Sequence, residues 1–90
     1  MLEFDWDADN LTHIAEHDLT PEEVEFALMH RTLEVEFQDW HDSEERYSEI
    51  GMTASGRISL IVTTLRGSCL RVVTAYDAAR HHAKEYLELR

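Results

Sequence analysis

The clearest pattern of apolar and polar positions lies in the second half of the chain. Residues 56–65 form an apolar, β-branched run, and a turn sequence that contains glycine stands at each end of it. Such a run predicts a central strand with a hairpin on either side. Side chains alternate between the two faces of a strand, and both faces of this one are apolar, so cover is expected on both. Ile58, Leu60 and Val62 would face one side, and Ile61 and Leu65 the other.

Three more segments, residues 33–37, 46–53 and 70–75, have the length and composition of strands. The first of them has one apolar face and one face that carries Glu34 and Glu36, so we expect these two carboxylates to point into solvent. Together with the central strand, the segments predict a twisted antiparallel sheet of about four strands.

Helices are predicted before the sheet. Thr20 and Glu23 form a capping box with Pro21 at the first helical position, which marks the start of the second helix. Asp9 or Asn10 would cap an earlier helix that runs to about residue 17.

The remaining boundaries complete the fold class. Gly51 interrupts its strand, so a bulge or a close approach of another backbone is expected there. Asp77 would begin a last amphipathic helix whose apolar side includes Tyr86 and Leu89, and residues 2–6 alternate as a short opening strand or an extended arm. The pattern therefore predicts an α+β fold with two N-terminal helices, an antiparallel sheet and a C-terminal helix.

Length and composition limit the class of protein. Ninety residues with 43% hydrophobic content suit one folded domain, expected to span residues 1–90, and no apolar run approaches the roughly 20 residues of a membrane span. No basic-then-apolar leader opens the sequence. We interpret the lone Cys69 as a small apolar residue that packs within a strand. These features predict a cytoplasmic protein that has no disulfide and no contact with a membrane.

The charge is unevenly divided along the chain. Residues 1–50 carry a formal charge of −14 and residues 51–90 carry +3, within a net charge of −11. This division fits a basic surface on an acidic body, or an acidic face that binds a basic partner. A solvated acidic face without a partner explains it equally well.

One histidine motif raises the question of a metal. His13, Glu16 and His17 match the pattern H-x-x-E-H, which puts two imidazoles and a carboxylate on one helix face. A zinc protease also needs a third protein ligand and a substrate cleft, for which this chain is too short. We therefore interpret the motif as surface histidines and expect neither a metal nor a cofactor.

Basic side chains of the second half are the main candidates for chemistry. They lie on neighbouring strands and on the last helix, so several can converge on one phosphate. Without a metal, such a group can cleave RNA through its own 2′-hydroxyl, with a tyrosine or histidine moving protons. Structural ion pairs with the acidic first half explain the same cations equally well. The candidates are Arg57, Arg66, Arg71, Arg80, His81 and Lys84, with Tyr76 or Tyr86 beside them.

Trp40 and His41, in an acidic loop, are a second candidate contact with RNA. The indole ring could stack on a base. The alternative is a tryptophan that covers the edge of the sheet beside an exposed histidine.

Several short motifs follow one another in a characteristic order. They are Phe4-x-Trp6-Asp7, then Asn10 and His17, then His41-x-Ser43-Glu44-Glu45-Arg46-Tyr47, Ile50-Gly51, Gly56-Arg57, and Arg71-Val72-Val73-Thr74-Ala75 before the last helix. This set, which covers almost the whole chain, resembles the BrnT toxins of bacterial toxin-antitoxin pairs. The resemblance implies a RelE-like fold, ribosome-independent cleavage of RNA, and neutralisation by a BrnA-like antitoxin that also binds the operator DNA.

Three positions depart from the family pattern. Tyr76 stands where many members have an arginine, Asp77 occupies a basic position, and His82 replaces a glutamate. Two hypotheses follow from the resemblance and these departures. The chain is a metal-independent endoribonuclease toxin, or it is a weak or inactive binding module of the same fold that acts through a protein partner.

Under the first hypothesis each candidate has a role. Arg71 and Arg80 would hold phosphate, and Tyr76 or His81 would transfer protons. Glu34 and Glu36 would receive a basic segment of the antitoxin. The expected contacts with RNA are Arg57, Arg66, Lys84, Trp40 and His41.

Overall fold

A computed structural model describes residues 3–36 and 45–89, which form three helices and one five-stranded sheet. The predicted α+β class, with two helices before the main sheet and one after it, is confirmed. The strands are β1 (Glu3–Asp5), β2 (Thr32–Val35), β3 (Tyr47–Met52), β4 (Ile58–Arg66) and β5 (Cys69–Asp77). The helices are α1 (Ala8–Ala15), α2 (Pro21–Met29) and α3 (Arg80–Glu88).

The sheet is mixed, with the strand order β1-β5-β4-β3-β2 among the described residues. β2 to β5 are antiparallel neighbours, whereas β1 runs parallel to β5 and places Phe4 opposite Leu70. The four predicted antiparallel strands are present as β2 to β5, but the parallel β1 makes the sheet five-stranded and mixed, which the prediction of about four strands missed. A strand of three residues is too short for its alternation to separate it from an extended arm.

The start of α1 also differs from the prediction. Asp7, rather than Asp9 or Asn10, is the N-cap, since its carboxylate accepts the backbone N–H groups of Asp9 and Asn10 at 3.0 and 3.2 Å. The side-chain oxygen of Asn10 accepts the backbone N–H of Asp7 at 2.7 Å, which completes a capping box. The buried Asn10 amide donates to the backbone oxygens of Asp5 and Val72 at 2.8 and 2.9 Å, so it joins α1 to β1 and β5.

The start of α2 is as predicted. Thr20 Oγ1 accepts the backbone N–H of Glu23 at 3.2 Å, and the Glu23 carboxylate accepts the backbone N–H of Thr20 at 3.0 Å. Pro21 occupies the first helical position. Between the helices, Asp18 has a φ of 58°, in the left-handed region that aspartate tolerates, and α1 has already ended at Ala15.

An apolar core lies on each face of the sheet, as the composition of the central strand predicts. α1 and α2 cover one face, and α3 covers the other. Because the two faces of β4 contact different helices, this strand holds the layers together. The first core consists of Ile14, Leu19, Val24, Ala27, Ile61, Val72 and Ala75, and the second of Ile50, Leu60, Val62 and Tyr86.

Leu65 is an exception to this pattern. The alternation of the strand predicts that it faces a core, but it is 59% exposed. The pairing of β4 with β5 has an irregularity between Val62 and Thr63, and Leu65 lies beyond it, beside the exposed Arg66 at the end of the strand. The end of β4 extends into solvent there, so most of the Leu65 side chain is exposed.

Gly51 confirms the expected close approach of another backbone. A Cβ atom at this position would lie 2.9 Å from the backbone oxygen of Ala27 in α2. Gly51 stays in register with Thr32 and Ser59, so the alternative of a bulge does not apply. The missing side chain lets α2 lie directly on β3.

The last helix starts later than predicted. Asp77 is the final residue of β5, opposite Ser59, and α3 begins at Arg80 without a side-chain cap. The carboxylate of Asp77 is bound to Arg57 instead of to helical N–H groups. A long-range ion pair and the strand pairing have overridden the local preference of aspartate for an N-cap.

Candidate active site

One end of the sheet brings together several predicted site residues. β3 and β5 end there and β4 begins there, because antiparallel strands joined by hairpins alternate in direction. The C-terminal end of α1 lies at the same place, where the ring centroid of His17 is 5.7 Å from that of Tyr76. His17 is exposed and Tyr76 half-buried, so solvent reaches the pair. We call this region the β5 site, and it comprises His17, Arg57, Tyr76, Asp77, Arg80 and His81.

Arg57 connects three parts of the β5 site. Its Nε lies 2.6 Å from Oδ1 of Asp77, its Nη1 donates to the backbone oxygen of Asp18 at 2.8 Å, and its Nη2 donates to the backbone oxygen of His17. The last two acceptors follow the end of α1, where backbone oxygens have no partner within the helix. Arg57 therefore joins the end of α1 to the end of β5. Its expected role as a contact with RNA stays a prediction.

The first turn of α3 supplies exposed cationic side chains. Arg80 is three residues after Asp77, a separation of at most about 10 Å. Arg80, His81 and Lys84 are exposed, and the rings of His81 and His82 lie 4.1 Å apart. The structure thus brings Arg80 and His81 to the same end of the sheet as Tyr76, with Lys84 one turn further along α3.

Arg71 lies elsewhere. It is five residues before Tyr76 on β5, a separation of about 16 Å along the strand. Its Nη1 is 2.9 Å from Oδ2 of Asp7 and 3.5 Å from Oδ2 of Asp5, and its side chain is 11% exposed. These ion pairs favour the structural alternative for Arg71 that the sequence left open.

The ion pair between Asp7 and Arg71 shifts both pKa values. The hydrogen bond from Arg71 is the largest cause that lowers the pKa of Asp7 below 3.8, and backbone N–H groups at the start of α1 act in the same direction. The hydrogen bond to Asp7 raises the pKa of Arg71 above its ordinary value, although partial burial opposes this. Both groups therefore stay charged at neutral pH.

Other candidates are separated from the β5 site. Arg66 ends β4 at the opposite end of the strand from Arg57. Tyr86 is buried, and its hydroxyl donates to the backbone oxygen of Arg31 at 2.9 Å, so it has a structural partner in place of a proton-transfer role. Trp40 and His41 lie outside the described residues.

The predicted acidic face is present at the β2–β3 side of the sheet. Glu34 and Glu36 are exposed, as predicted, and Glu34 lies directly opposite Glu49. The charge of Glu45 is the largest cause that raises the pKa of Tyr47 above 10.0, with burial, a hydrogen bond to Glu45 and the charge of Glu34 acting in the same direction. We call Glu34, Glu36, Glu45 and Glu49 the acidic edge.

The histidine motif, of which only His13 lies within α1, does not form a metal site in the described structure. Within residues 3–36 and 45–89, no group of three or more His, Cys, Asp or Glu side chains is arranged to hold a metal ion. In the same ranges, no helix is long and apolar enough to cross a membrane.

A small α+β domain with histidine, tyrosine and arginine at one open sheet end has the side chains that cleavage of a phosphodiester requires. The family model of the ribonuclease toxin BrnT, of type II toxin-antitoxin systems, matches residues 6–82. Because the match covers most of the chain, this protein belongs to the BrnT family, and the resemblance based on the ordered motifs is confirmed. Comparison with the curated proteins gives no match.

The sequence did not identify His17 as a member of this site. His17 is one of the motif positions of the family resemblance, but its spacing to His13 and Glu16 suggests only a metal ligand. Its contact with Tyr76 spans 59 positions in the sequence and depends on the packing of α1 against β5. The place of His17 among the ordered motifs was the sequence signal that could have identified it as a site residue.

Proposed function

We propose that the chain is a metal-independent endoribonuclease that cleaves RNA at the β5 site. The observation that carries the proposal is the solvent-accessible Tyr76 with the exposed Arg80 and His81 a short connection away. Membership of a family of ribonuclease toxins supports the same conclusion.

Cleavage would use the 2′-hydroxyl of the RNA itself. Its oxygen loses a proton to a basic group and attacks the adjacent phosphorus, the bond from phosphorus to the 5′ oxygen breaks, and a 2′,3′-cyclic phosphate and a 5′-hydroxyl form. Arg80, with Lys84 along the same helix, stabilises the negative charge of the phosphorane. Tyr76 or His81 gives the leaving 5′ oxygen its proton. These groups supply charge stabilisation and proton transfer from protein side chains, which is the basis for proposing a reaction without a metal.

The acidic edge supports the proposal of a basic protein partner. Type II toxins are controlled by a protein antitoxin, and we propose that a BrnA-like antitoxin places a basic segment against Glu34 and Glu36. Contact with operator DNA would occur only through that antitoxin. We further propose that residues 1–90 are a single RelE-like domain that acts in the cytoplasm.

Expression from a tightly controlled promoter tests the proposal. The wild-type chain should stop growth and degrade cellular RNA, and purified protein should cleave RNA at the same rate with and without a metal chelator. Arg80→Ala and Tyr76→Phe should each lower the cleavage rate by about 100-fold, because each removes one transition-state interaction. Leu87→Ala is the control, since this side chain is 55% exposed on the same helix. Normal growth at confirmed soluble expression would contradict the toxin function.

The ion pairs of Arg57 and Arg71 favour a second candidate. If these arginines only stabilise the fold and the acidic edge binds a protein partner, the chain is a non-catalytic binding module. Such a module would cleave no RNA at any salt concentration and would co-purify with its partner in a fixed ratio. Cleavage by the wild type that Arg80→Ala abolishes would exclude it.

A further inference from the structure

We propose that His17 is a catalytic residue of this ribonuclease, the base that accepts the proton of the attacking 2′-hydroxyl, and that Arg57 is its positioning residue. The inference rests on the proposed function and adds two roles to it. Neither role follows from the sequence, where His17 fits a metal motif and Arg57 an RNA contact.

The placement of His17 carries the first part of the inference. Its ring lies 5.7 Å from the ring of Tyr76, the two planes are inclined at 55°, and the imidazole is exposed. An imidazole and a phenol at this separation can reach the two oxygens that exchange protons during cleavage, one on each side of the phosphorus. At neutral pH an imidazole is well suited to accept a proton, and a phenol retains one to donate.

The contacts of Arg57 carry the second part. All three nitrogens of its guanidinium have protein acceptors, namely the carboxylate of Asp77 and the backbone oxygens of His17 and Asp18. A planar guanidinium fixes the relative directions of its donors, so these bonds set the distance between the ends of α1 and β5. Since Asp77 follows Tyr76 directly, Arg57 joins the backbone of His17 to the residue next to Tyr76.

The proposed step balances without a cofactor. Neutral His17 takes the proton of the 2′-hydroxyl as the 2′ oxygen bonds to phosphorus, and Tyr76 gives its proton to the 5′ oxygen as that bond to phosphorus breaks. Protonated His17 then releases a proton to solvent, and the Tyr76 phenolate takes one up. Arg80 neutralises part of the charge on the phosphoryl oxygens while both transfers occur.

A modified substrate separates the base from the acid. The rates of wild type, His17→Asn and Tyr76→Phe are measured on an oligonucleotide with one ribonucleotide, and again with sulfur in place of the 5′ bridging oxygen. Both variants should lose about 100-fold on the oxygen substrate. A sulfur leaving group departs without being protonated. On this substrate the cleavage rate of Tyr76→Phe should therefore return towards that of wild type, whereas the rate of His17→Asn should stay low. The reverse pattern, or a His17→Asn variant within about threefold of wild type, would overturn the assignment.

Two substitutions distinguish positioning by Arg57 from binding of phosphate. Arg57→Gln should lower kcat by about tenfold or more and leave KM nearly unchanged, because a displaced catalytic group slows the chemistry. Asp77→Asn should act in the same direction although it keeps the arginine. If Arg57 binds phosphate instead, Arg57→Gln will raise KM, and Asp77→Asn will lower it by releasing the guanidinium. That result would overturn the positioning role.

Nuclear magnetic resonance of the His17 ring gives a readout that needs no cleavage. Replacing Tyr76 by leucine should shift the ring signals of His17 by removing the ring current, and Arg57→Gln should shift them by releasing the end of α1. Unchanged His17 signals in both folded variants would contradict the inferred geometry. A wild-type protein that cleaves no RNA contradicts the proposed function, whereas a fully active His17→Asn variant contradicts this inference alone.

Discussion

Asp7 shows how one side chain can support two parts of the fold. Its carboxylate caps α1 and also pairs with Arg71 at 2.9 Å on the neighbouring β5. Because Arg71 lowers the pKa of Asp7 in the folded protein, folding favours the charged carboxylate. The resulting stabilisation is fully present above the ordinary pKa of 3.8 and is lost as pH falls through the lower folded value.

Asp7→Asn tests this linkage. Asparagine is as good an N-cap as aspartate, so the substitution removes mainly the ion pair. We expect a lower urea midpoint than wild type at pH 7, and a difference that shrinks as pH falls below about 3.8. Asp9→Asn is the matched control, because it removes one charge from the first turn of α1 and leaves the pair with Arg71 in place. Equal losses in the two variants, constant with pH, would contradict the account.

At the scale of elements, the contact of α2 with β3 depends on the absence of a side chain. The backbone of Ala27 lies so close to Gly51 that a Cβ atom added to Gly51 would be 2.9 Å from the carbonyl oxygen of Ala27. A backbone atom cannot move aside without moving the helix. The end of β3 and the start of the following turn are therefore fixed by how closely α2 lies on the sheet.

Gly51→Ala should consequently destabilise the protein by about 1–3 kcal/mol, the usual cost of overpacking. Gly67→Ala provides the comparison, because Gly67 has a φ of 61° but a Cβ atom added there would have no heavy atom within 4 Å. That second substitution should cost about 1 kcal/mol through backbone conformation alone. The check is chemical denaturation of both variants, and a smaller loss for Gly51→Ala than for Gly67→Ala would show that α2 can shift at little cost.

Across the whole molecule, part of the negative charge is concentrated at the acidic edge. The acidic first half contributes Glu34, Glu36 and Glu45 to the acidic edge, and Glu49 lies directly across from Glu34. Like charges on directly opposed strand positions repel each other. A positively charged partner segment would relieve this repulsion, and its attraction would weaken as salt screens the charges.

The double variant Glu34→Lys, Glu36→Lys should weaken binding of the cognate partner and leave the fold intact, because both side chains are exposed. Calorimetry at two salt concentrations measures the effect, and wild-type affinity should fall as salt rises. Glu3→Lys with Glu16→Lys is the charge-matched control, because both side chains are exposed, Glu3 lies on β1 at the opposite edge of the sheet from β2, and Glu16 follows α1, which packs against β5. Unchanged affinity in the double variant, with no salt dependence in the wild type, would make the acidic edge a solubility feature.

Local patterns predicted much of this molecule correctly. The capping box from Thr20 to Glu23, the two apolar faces of the central strand and the close approach at Gly51 depend on neighbours in sequence or on periodicity. The family pattern predicted the class of protein in the same way, since it consists of short motifs in order.

The α+β class, the helix-sheet-helix order and the residue types available for chemistry follow from local patterns in the sequence. The pairing of β1 with β5, the place of Asp77 in a strand and the contact of His17 with Tyr76 depend instead on how the elements pack. The partners in such contacts are far apart along the chain, as the bonds of Arg57 to His17 and Asp18 show, since they span about 40 positions. No local preference encodes such a contact, because it forms only when helices and strands have packed against each other.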